Sequence, residues 1–542
     1  MDNKKENKKR KITFTDIIIV IVILLLFSII IIQYYKSVRM YVFNETESEP
    51  VFTRYSNFTR YANFSGMESE YKSLNISEAR SSNRAATSVV VLNHHGVFAN
   101  DTGLADYSGI SYDRFKDQMF ALKKAGYETI NMEDLYLFLR GKKQLPEKSL
   151  MLTFDDGIKD SYYNADPILK KLNYTAVMFV ITSQSIEKNN SKYYLNTDEL
   201  HQMQNSGRWD IESHSYNAHG KVVTDEQGSA GPYLTNKIWI ANEGRLETDQ
   251  EYFYRVQNDL RMAKEQLEKE FNKTILGFAL PYGDFGQRET NYPGSERIIL
   301  DIEKPLYAMV FYQFKPVVNK DFRANFNNDP EKDFYLVMRI SADYISTDNL
   351  LNEIEAAQFL DIPYTEKFDN PKRWINIWNQ DISISENRLN ITNNYDVYGG
   401  MAYLDGSYLW KDYIYSGTIG ENGSDKVLLL SRFQNSGTYV ACKYTNKSVS
   451  IINVRNRVIV STSQINLIQT FPGLDALQSR TKLSISVVEN NVGCYVNNNV
   501  IIEQDVPDIP PFGGIGIRVD GLPANKSVTF ASIRVEYPYY GD

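Results

Sequence analysis

Two stretches of the chain carry residues in patterns that do chemistry. In Leu150-Met151-Leu152-Thr153-Phe154-Asp155-Asp156-Gly157 an apolar run stops in two adjacent carboxylates and a glycine. In Glu212-Ser213-His214-Ser215-Tyr216-Asn217-Ala218-His219-Gly220 two imidazoles share one short loop. Two imidazoles and a carboxylate suit zinc or a similar divalent metal, and three protein ligands leave coordination positions open for water. An open position separates a catalytic metal from a structural one, and hydrolysis is the chemistry it serves. Each stretch also has a plainer reading. Asp-Asp-Gly is ordinary turn chemistry, and the histidines can be loop residues without a metal, since their spacing is not that of a helical zinc motif. All five histidines, His94, His95, His201, His214 and His219, fall within one part of the chain. Scattered structural histidines would not cluster so.

Both stretches need strands to place them. Neighbouring side chains on a strand point to opposite faces, so a strand interior would not hold two acids side by side. At the carboxyl end of a strand, where the chain turns, both acids can face one pocket, and α/β sheets and barrels put their chemistry there. The run Ser88–Leu92 reads as a buried strand leading into Asn93-His94-His95-Gly96. Ser111 caps a helix marked by Phe115, Met119 and Leu122, which Gly126 stops. Strand Ser149–Phe154, helix Ser161–Leu172, strand Thr175–Ile181, helix Thr197–Asn205 and strand Trp209–Glu212 follow in alternation. Such alternation predicts parallel strands with crossover helices, an α/β barrel or a doubly wound sheet. A polar excursion from Gly220 to about Glu247 is too long for an ordinary connection and is expected to form a loop beside the site. His201 lies on a helix with Leu200 and Met203 and reads as structural.

The chain has 542 residues, too many for one core, and Pro363 marks a plausible domain boundary. Beyond it the texture turns to short β-rich runs separated by Gly, Asn and Pro turns, which predicts an all-β sandwich of jelly-roll type. Cys442 and Cys494, the two cysteines, each sit mid-strand and either pair or remain buried thiols. Trp374, Trp378 and Trp410 supply either a stacking platform for sugar rings or core packing. A net charge of -8 gives no basic surface for nucleic acid. At the start, Lys4, Lys5, Lys8, Lys9, Arg10 and Lys11 precede an apolar run, Ile12–Ile32, whose only charge is Asp16. The run is long enough, at about 20 residues, to cross a bilayer as a helix. Basic residues before it put the N-terminus in the cytoplasm and the remainder outside. A cleaved signal peptide is the rival, but Gln33-Tyr34-Tyr35-Lys36 offers no small-residue cleavage site. The expected organisation is a cytoplasmic basic tail over 1–11, a transmembrane anchor over 12–33 and an extracellular stalk over 34–87. An α/β domain over 88–362 and a β-sandwich over 363–542, a candidate for carbohydrate binding, complete it.

Thr153-Phe154-Asp155-Asp156-Gly157, the His214–His219 loop and Phe278-Ala279-Leu280-Pro281-Tyr282-Gly283, in that order, resemble the NodB-type polysaccharide deacetylases, carbohydrate esterase family 4. Val91-Leu92-Asn93-His94-His95-Gly96-Val97 resembles the opening strand of the branch that includes exported poly-β-1,6-N-acetylglucosamine deacetylases. In that branch, too, four residues separate the metal histidines. The resemblance spans about Ser88–Phe359 and implies a NodB-type (β/α) barrel. It further implies that Asp156, His214 and His219 hold a divalent metal, most often zinc, with cobalt or nickel as alternatives. Asp155 would then be the general base, with a backbone N–H near Pro281 and Tyr282 holding the oxyanion. The general acid would be His95, or His94, which occupies the branch's usual tyrosine position. One departure is Ala279, where much of the family has an arginine that orients the base. Arg339, in Met338-Arg339-Ile340, either replaces that charge or is a surface arginine. No histidine follows His219, so the late histidine acid of other members is absent. The β-rich region resembles concanavalin-like or laminin-G-like sandwiches loosely, through Phe512–Ile517 and Val528–Val535. The expectation is a membrane-anchored, outward-facing N-deacetylase of a β-linked N-acetylglucosamine polymer. An O-acetyl esterase and a catalytically silent glycan-binding surface protein are the alternatives.

Overall fold

The computed structural model describes residues 84–98, 109–188, 190–286, 290–313, 324–326, 334–378, 381–393 and 399–538. The expected basic tail, membrane span and most of the expected stalk lie outside the described residues. Among the described residues no helix is long and apolar enough to cross a membrane.

The α/β region is a closed barrel of parallel strands: β1 (Val90–His94), β2 (Ser149–Phe154), β3 (Ala176–Val180), β4 (Trp209–Ser213), β5 (Gly277–Ala279), β6 (Met309–Gln313) and β7 (Tyr335–Ser341). Each pairs with the next, and β1 pairs with both β2 and β7, which removes the edges. Parallel pairing demands crossovers. Helices α1 (Tyr112–Lys124), α2 (Met132–Leu139), α3 (Lys159–Leu172), α4 (Thr197–Asn205), α5 (Asp249–Phe271), α6 (Ser295–Glu303) and α7 (Thr347–Ala357) accompany the strands. Their starts follow local chemistry. Ser111 accepts from the Arg114 amide at the head of α1, and capping boxes of Asn196 with Glu199 and Thr248 with Glu251 open α4 and α5.

Strand periodicity decides what the barrel encloses. Val91, Met151, Val177, Phe179, Ala279, Phe311 and Val337 form one buried cluster with Leu135 and Phe138 of α2. Two residues further toward the carboxyl ends, the same strand face presents Asn93 and Thr153, then His95 and Asp155. The apolar filling of the barrel therefore grades into polar residues at one end. The polar excursion after β4 folds as two short hairpins, Lys221–Val223 with Ala230–Pro232 and Trp239–Ile240 with Arg245–Leu246.

Beyond α7 the chain forms two antiparallel sheets around a common core. One runs in the order 374–378, 399–404, 514–520, 426–435, 438–444, 448–455, 458–466, and the other 381–385, 388–392, 527–536, 413–422, 482–488, 491–496, 499–505. Cys442 and Cys494, from opposite sheets, are joined by a disulfide. Trp374 and Trp410 are not a surface platform. They are 4% and 5% exposed within the core, with indole N–H groups donated to Glu366 and to the Leu360 carbonyl. The sandwich meets the barrel at the end where the strands begin. Leu360 N–H bonds to the Gly406 carbonyl, Phe326 packs edge-on against Phe359 and near Tyr408, and Asn325 pairs with Val89 at the foot of β1. The polar end of the barrel is the opposite one.

Candidate active site

Asp155 continues the inward register of Met151 and Thr153 and is 1% exposed. Arg339, from β7 and fully buried, donates Nη1 to its Oδ1 at 2.6 Å and Nη2 to its Oδ2 at 2.8 Å. Asn93 Oδ1 and Thr153 Oγ1 also accept from Nη1, at 2.9 and 3.3 Å. Burial alone raises the Asp155 pKa, but the Arg339 guanidinium, with His95 beside it, outweighs burial and holds the carboxyl below its usual range. The surface-arginine reading of Arg339 does not hold, because the guanidinium is enclosed between β1, β2 and β7.

Asp156 has the opposite strand parity and reaches the same pocket only because its backbone turns left-handed, φ 72°, followed by Gly157 at φ 73°. A Cβ on Gly157 would lie 3.1 Å from Val180, so glycine suits both the angle and the space. His214 extends β4, its N–H bonded to the Val180 carbonyl at 2.9 Å. Its Nδ1 lies 2.7 Å from the Ala279 carbonyl, which can only accept, so Nδ1 carries the proton and Nε2 a lone pair. That Nε2 and the Nε2 of His219 lie 3.2 and 3.1 Å from Asp156 Oδ1. The three ligand atoms lie within 4.8 Å of one another.

A divalent cation fits this set on two counts. Asp156 Oδ1 is buried without a hydrogen-bond donor, although two ring nitrogens surround it. A carboxylate oxygen facing the lone pair of His214 is repulsive unless a positive charge lies between them. Non-glycine residues in strained left-handed conformations recur in the turns that carry the site: Asp156, Ser215 beside His214, and Tyr282 at φ 60°. Tyr282 follows β5, donates its hydroxyl to the His219 carbonyl at 2.6 Å, and sets its ring 4.9 Å from the His219 ring. Pro281 beside it is buried.

The two histidines of β1 separate by parity. His94 is fully buried between Phe115 and Phe154, against the helical layer. His95 turns inward and is partly accessible, with Nε2 at 4.0 Å from Asp155 Oδ2. Its other nitrogen, Nδ1, lies 2.7 Å from Asp343 Oδ2, which also accepts the His95 backbone N–H at 3.1 Å. Burial lowers the His95 pKa, but Asp343 overrides it and raises the pKa to about 9. Asp343 itself, fully buried, is held down to about 2 by the two histidines it faces. His201 lies away from this pocket, paired with Glu270 at 2.9 Å.

Asp343 was not anticipated from the sequence. It stands four residues after Arg339, in the turn Ala342–Tyr344 that ends β7. Its position just past the carboxyl end of a strand was the available signal, indistinguishable from an ordinary turn acid. Arg114 and Gln118 of α1 fix that turn by donating to the Asp343, Ala342 and Ile345 carbonyls. Asp259 of α5, also unanticipated, accepts the Tyr216 and Asn217 amides in the loop between the two candidate metal histidines.

Residues 142–292 match the family model described as polysaccharide deacetylase. The chain carries a polysaccharide deacetylase domain. It is similar to the poly-β-1,6-N-acetyl-D-glucosamine N-deacetylase of Escherichia coli (strain K12), at 23% identity over 273 residues, 45% of this chain and 39% of that protein. The enzyme of the same description from Staphylococcus aureus (strain MSSA476) is 26% identical over 209 residues, 36% of this chain and 65% of that protein. The chain thus covers less than two thirds of either relative. Among solved structures, a de-N-acetylase from Aggregatibacter actinomycetemcomitans is 24% identical with a TM-score of 0.41, covering 48% of this chain and 96% of that chain. By sequence, the deacetylase domain shares homology with the two proteins described as poly-β-1,6-N-acetyl-D-glucosamine N-deacetylases.

Proposed function

We propose that the protein is a metal-dependent deacetylase that removes N-acetyl groups from a β-linked N-acetylglucosamine polymer. The observation that carries this reading is the convergence of three pairings at one barrel end: Asp155 with Arg339, His95 with Asp343, and Asp156 with His214 and His219. The last trio would hold the cation. When bound, a divalent metal supplies Lewis acidity that acidifies water and polarises an amide carbonyl.

The side chains divide the remaining work. Asp155, kept ionised and aimed by Arg339, accepts the proton of the attacking water. The backbone N–H near Tyr282 supports the oxyanion as the carbonyl becomes tetrahedral. An amine leaves poorly unless protonated, and His95, kept protonated by Asp343, gives its proton to the departing nitrogen. Base and acid face the same space, as their 4.0 Å approach requires.

The names of the relatives favour a β-1,6-linked exopolysaccharide as substrate. The apolar run near the N-terminus is proposed to anchor the chain with its catalytic domain outside the cell. The Cys442–Cys494 disulfide supports that placement, because such bonds persist in oxidising compartments. The decisive experiment is acetate release from N-acetylglucosamine oligomers by the 542-residue chain, with zinc or cobalt restored after chelation. Metal-restored release is expected. No release on any linkage, together with no bound metal, would overturn the proposal.

A further inference from the structure

The loop that carries the metal histidines has an uneven support. His214 directly follows the last residue of β4 and is tied to the neighbouring strand by its N–H, which donates to the Val180 carbonyl at 2.9 Å. His219 comes after a turn, its side chain is 33% exposed, and it must fold back onto Asp156. The residues between them reverse direction through Ser215, at φ 75°, whose Oγ accepts the Ala218 amide at 3.0 Å. The carbonyls of Ser215 and Tyr216 accept the amides of Thr182 and Ser183, at 3.1 and 3.0 Å. The amides of Tyr216 and Asn217 point the other way, toward α5.

There Asp259 meets them. Its Oδ1 accepts the Tyr216 N–H at 3.0 Å and its Oδ2 the Asn217 N–H at 2.9 Å, and the residue is 5% exposed. Arg255, one turn earlier on α5, directs its guanidinium to Glu247 and to the Tyr233 and Asn236 carbonyls instead. The Asp259 carboxylate is thus hydrogen-bonded by loop amides and not by a cation. Burying a carboxylate without an ion pair is costly, and two charge-assisted bonds to consecutive amides are the compensation the structure provides. Those bonds fix two consecutive peptides of the turn that leads from His214 to His219.

We infer that Asp259 is a positioning residue for the metal centre, holding the His214–His219 loop so that both imidazoles address Asp156. This rests on the metal-dependent reading above. It differs from a stability role in what it governs: the affinity of the site for a divalent ion rather than the melting temperature alone.

The test is chelator competition with zinc, and the visible spectrum of bound cobalt, on the whole chain. Removal of an outer partner of a metal site typically weakens affinity about 10- to 100-fold. Asp259→Ala is expected to fall in that range with altered cobalt bands. Asp259→Asn, which keeps one acceptor, should lie between it and wild type, and Asp259→Glu should recover part of the loss. If Asp259→Ala does not fold, the Asn and Glu variants carry the same comparison. Variants that melt earlier yet bind zinc within twofold of wild type would overturn the inference and leave the deacetylase reading standing. A wild-type chain that binds no divalent metal would overturn both.

Discussion

Arg339 closes both terminal nitrogens on the two oxygens of Asp155, from a strand separated from β2 by β1. The fork keeps the carboxylate ionised and turns it toward the space it shares with His95. Arg339 comes from a different strand than Ala279, the position from which much of the family supplies an arginine. Arg339→Met should therefore lower kcat by about 100-fold through misorientation of the base. It should also cost about 3–5 kcal/mol of stability, because it leaves Asp155 buried without its partner. Arg339→Lys keeps the charge without the fork and should recover stability more than rate. Acetate release and denaturant unfolding, measured on the same preparations, separate the two effects.

The two acids of the opening motif are expected to respond differently. Asp155→Asn should keep bound metal and lose turnover by about 10²- to 10⁴-fold, as for removal of a general base. His214→Ala should lose metal and turnover together. Metal content by elemental analysis beside acetate release decides the matter, and near-normal turnover in Asp155→Asn would remove that residue from its role.

The histidines of β1 offer a sharper contrast. His95→Ala should abolish most turnover at unchanged metal content. His94→Phe, which keeps a ring between Phe115 and Phe154 and gives up only the 3.3 Å contact of Nδ1 with Asp343, should retain far more. The reverse ranking would move the acid to His94 and contradict the inward direction of His95.

Much of this site follows from periodicity. Val91, Asn93 and His95 step along one face of β1, and Met151, Thr153 and Asp155 along one face of β2, so the inward residues could be read two at a time. Parity also separates His95 from His94, a distinction that residue type alone leaves open. Asp343 was hidden because it meets His95 across 248 positions, and a turn acid carries no local mark of such a contact. Asp259 was hidden for a related reason: on α5 it reads as one polar residue among many, and only the fold brings the His214–His219 loop to it. The tryptophans of the sandwich left two readings open, a sugar platform or core packing. Trp374 and Trp410 take the second, since each indole N–H finds an acceptor, Glu366 or the Leu360 carbonyl, which lets a large ring sit in the core.

The disulfide should matter to the sandwich alone. It spans a sequence separation of 52 residues between opposite sheets, and closing a loop of that size restricts the unfolded chain by about 4 kcal/mol. Cys442→Ala with Cys494→Ala should lower the denaturant midpoint of the sandwich accordingly. Acetate release under native conditions should persist, since the site lies at the far end of the barrel from the sandwich.

The pairing of Asp343 with His95 predicts a direction for the pH profile. With its pKa raised to about 9, His95 is protonated throughout the neutral range, and if it is the proposed acid, loss of that proton should set the alkaline limb of kcat/KM. Asp343→Asn removes the hydrogen-bonded charge that raises this pKa and leaves burial, which lowers it, less opposed. The alkaline limb should therefore move to lower pH, and the variant should retain more of the wild-type rate at pH 6 than at pH 8. A bound cation lowers the His95 pKa in wild type and variant alike, so the difference between the two profiles keeps its sign. An unmoved limb in a variant with normal metal content would mean that Asp343 braces the turn after β7 without tuning the acid.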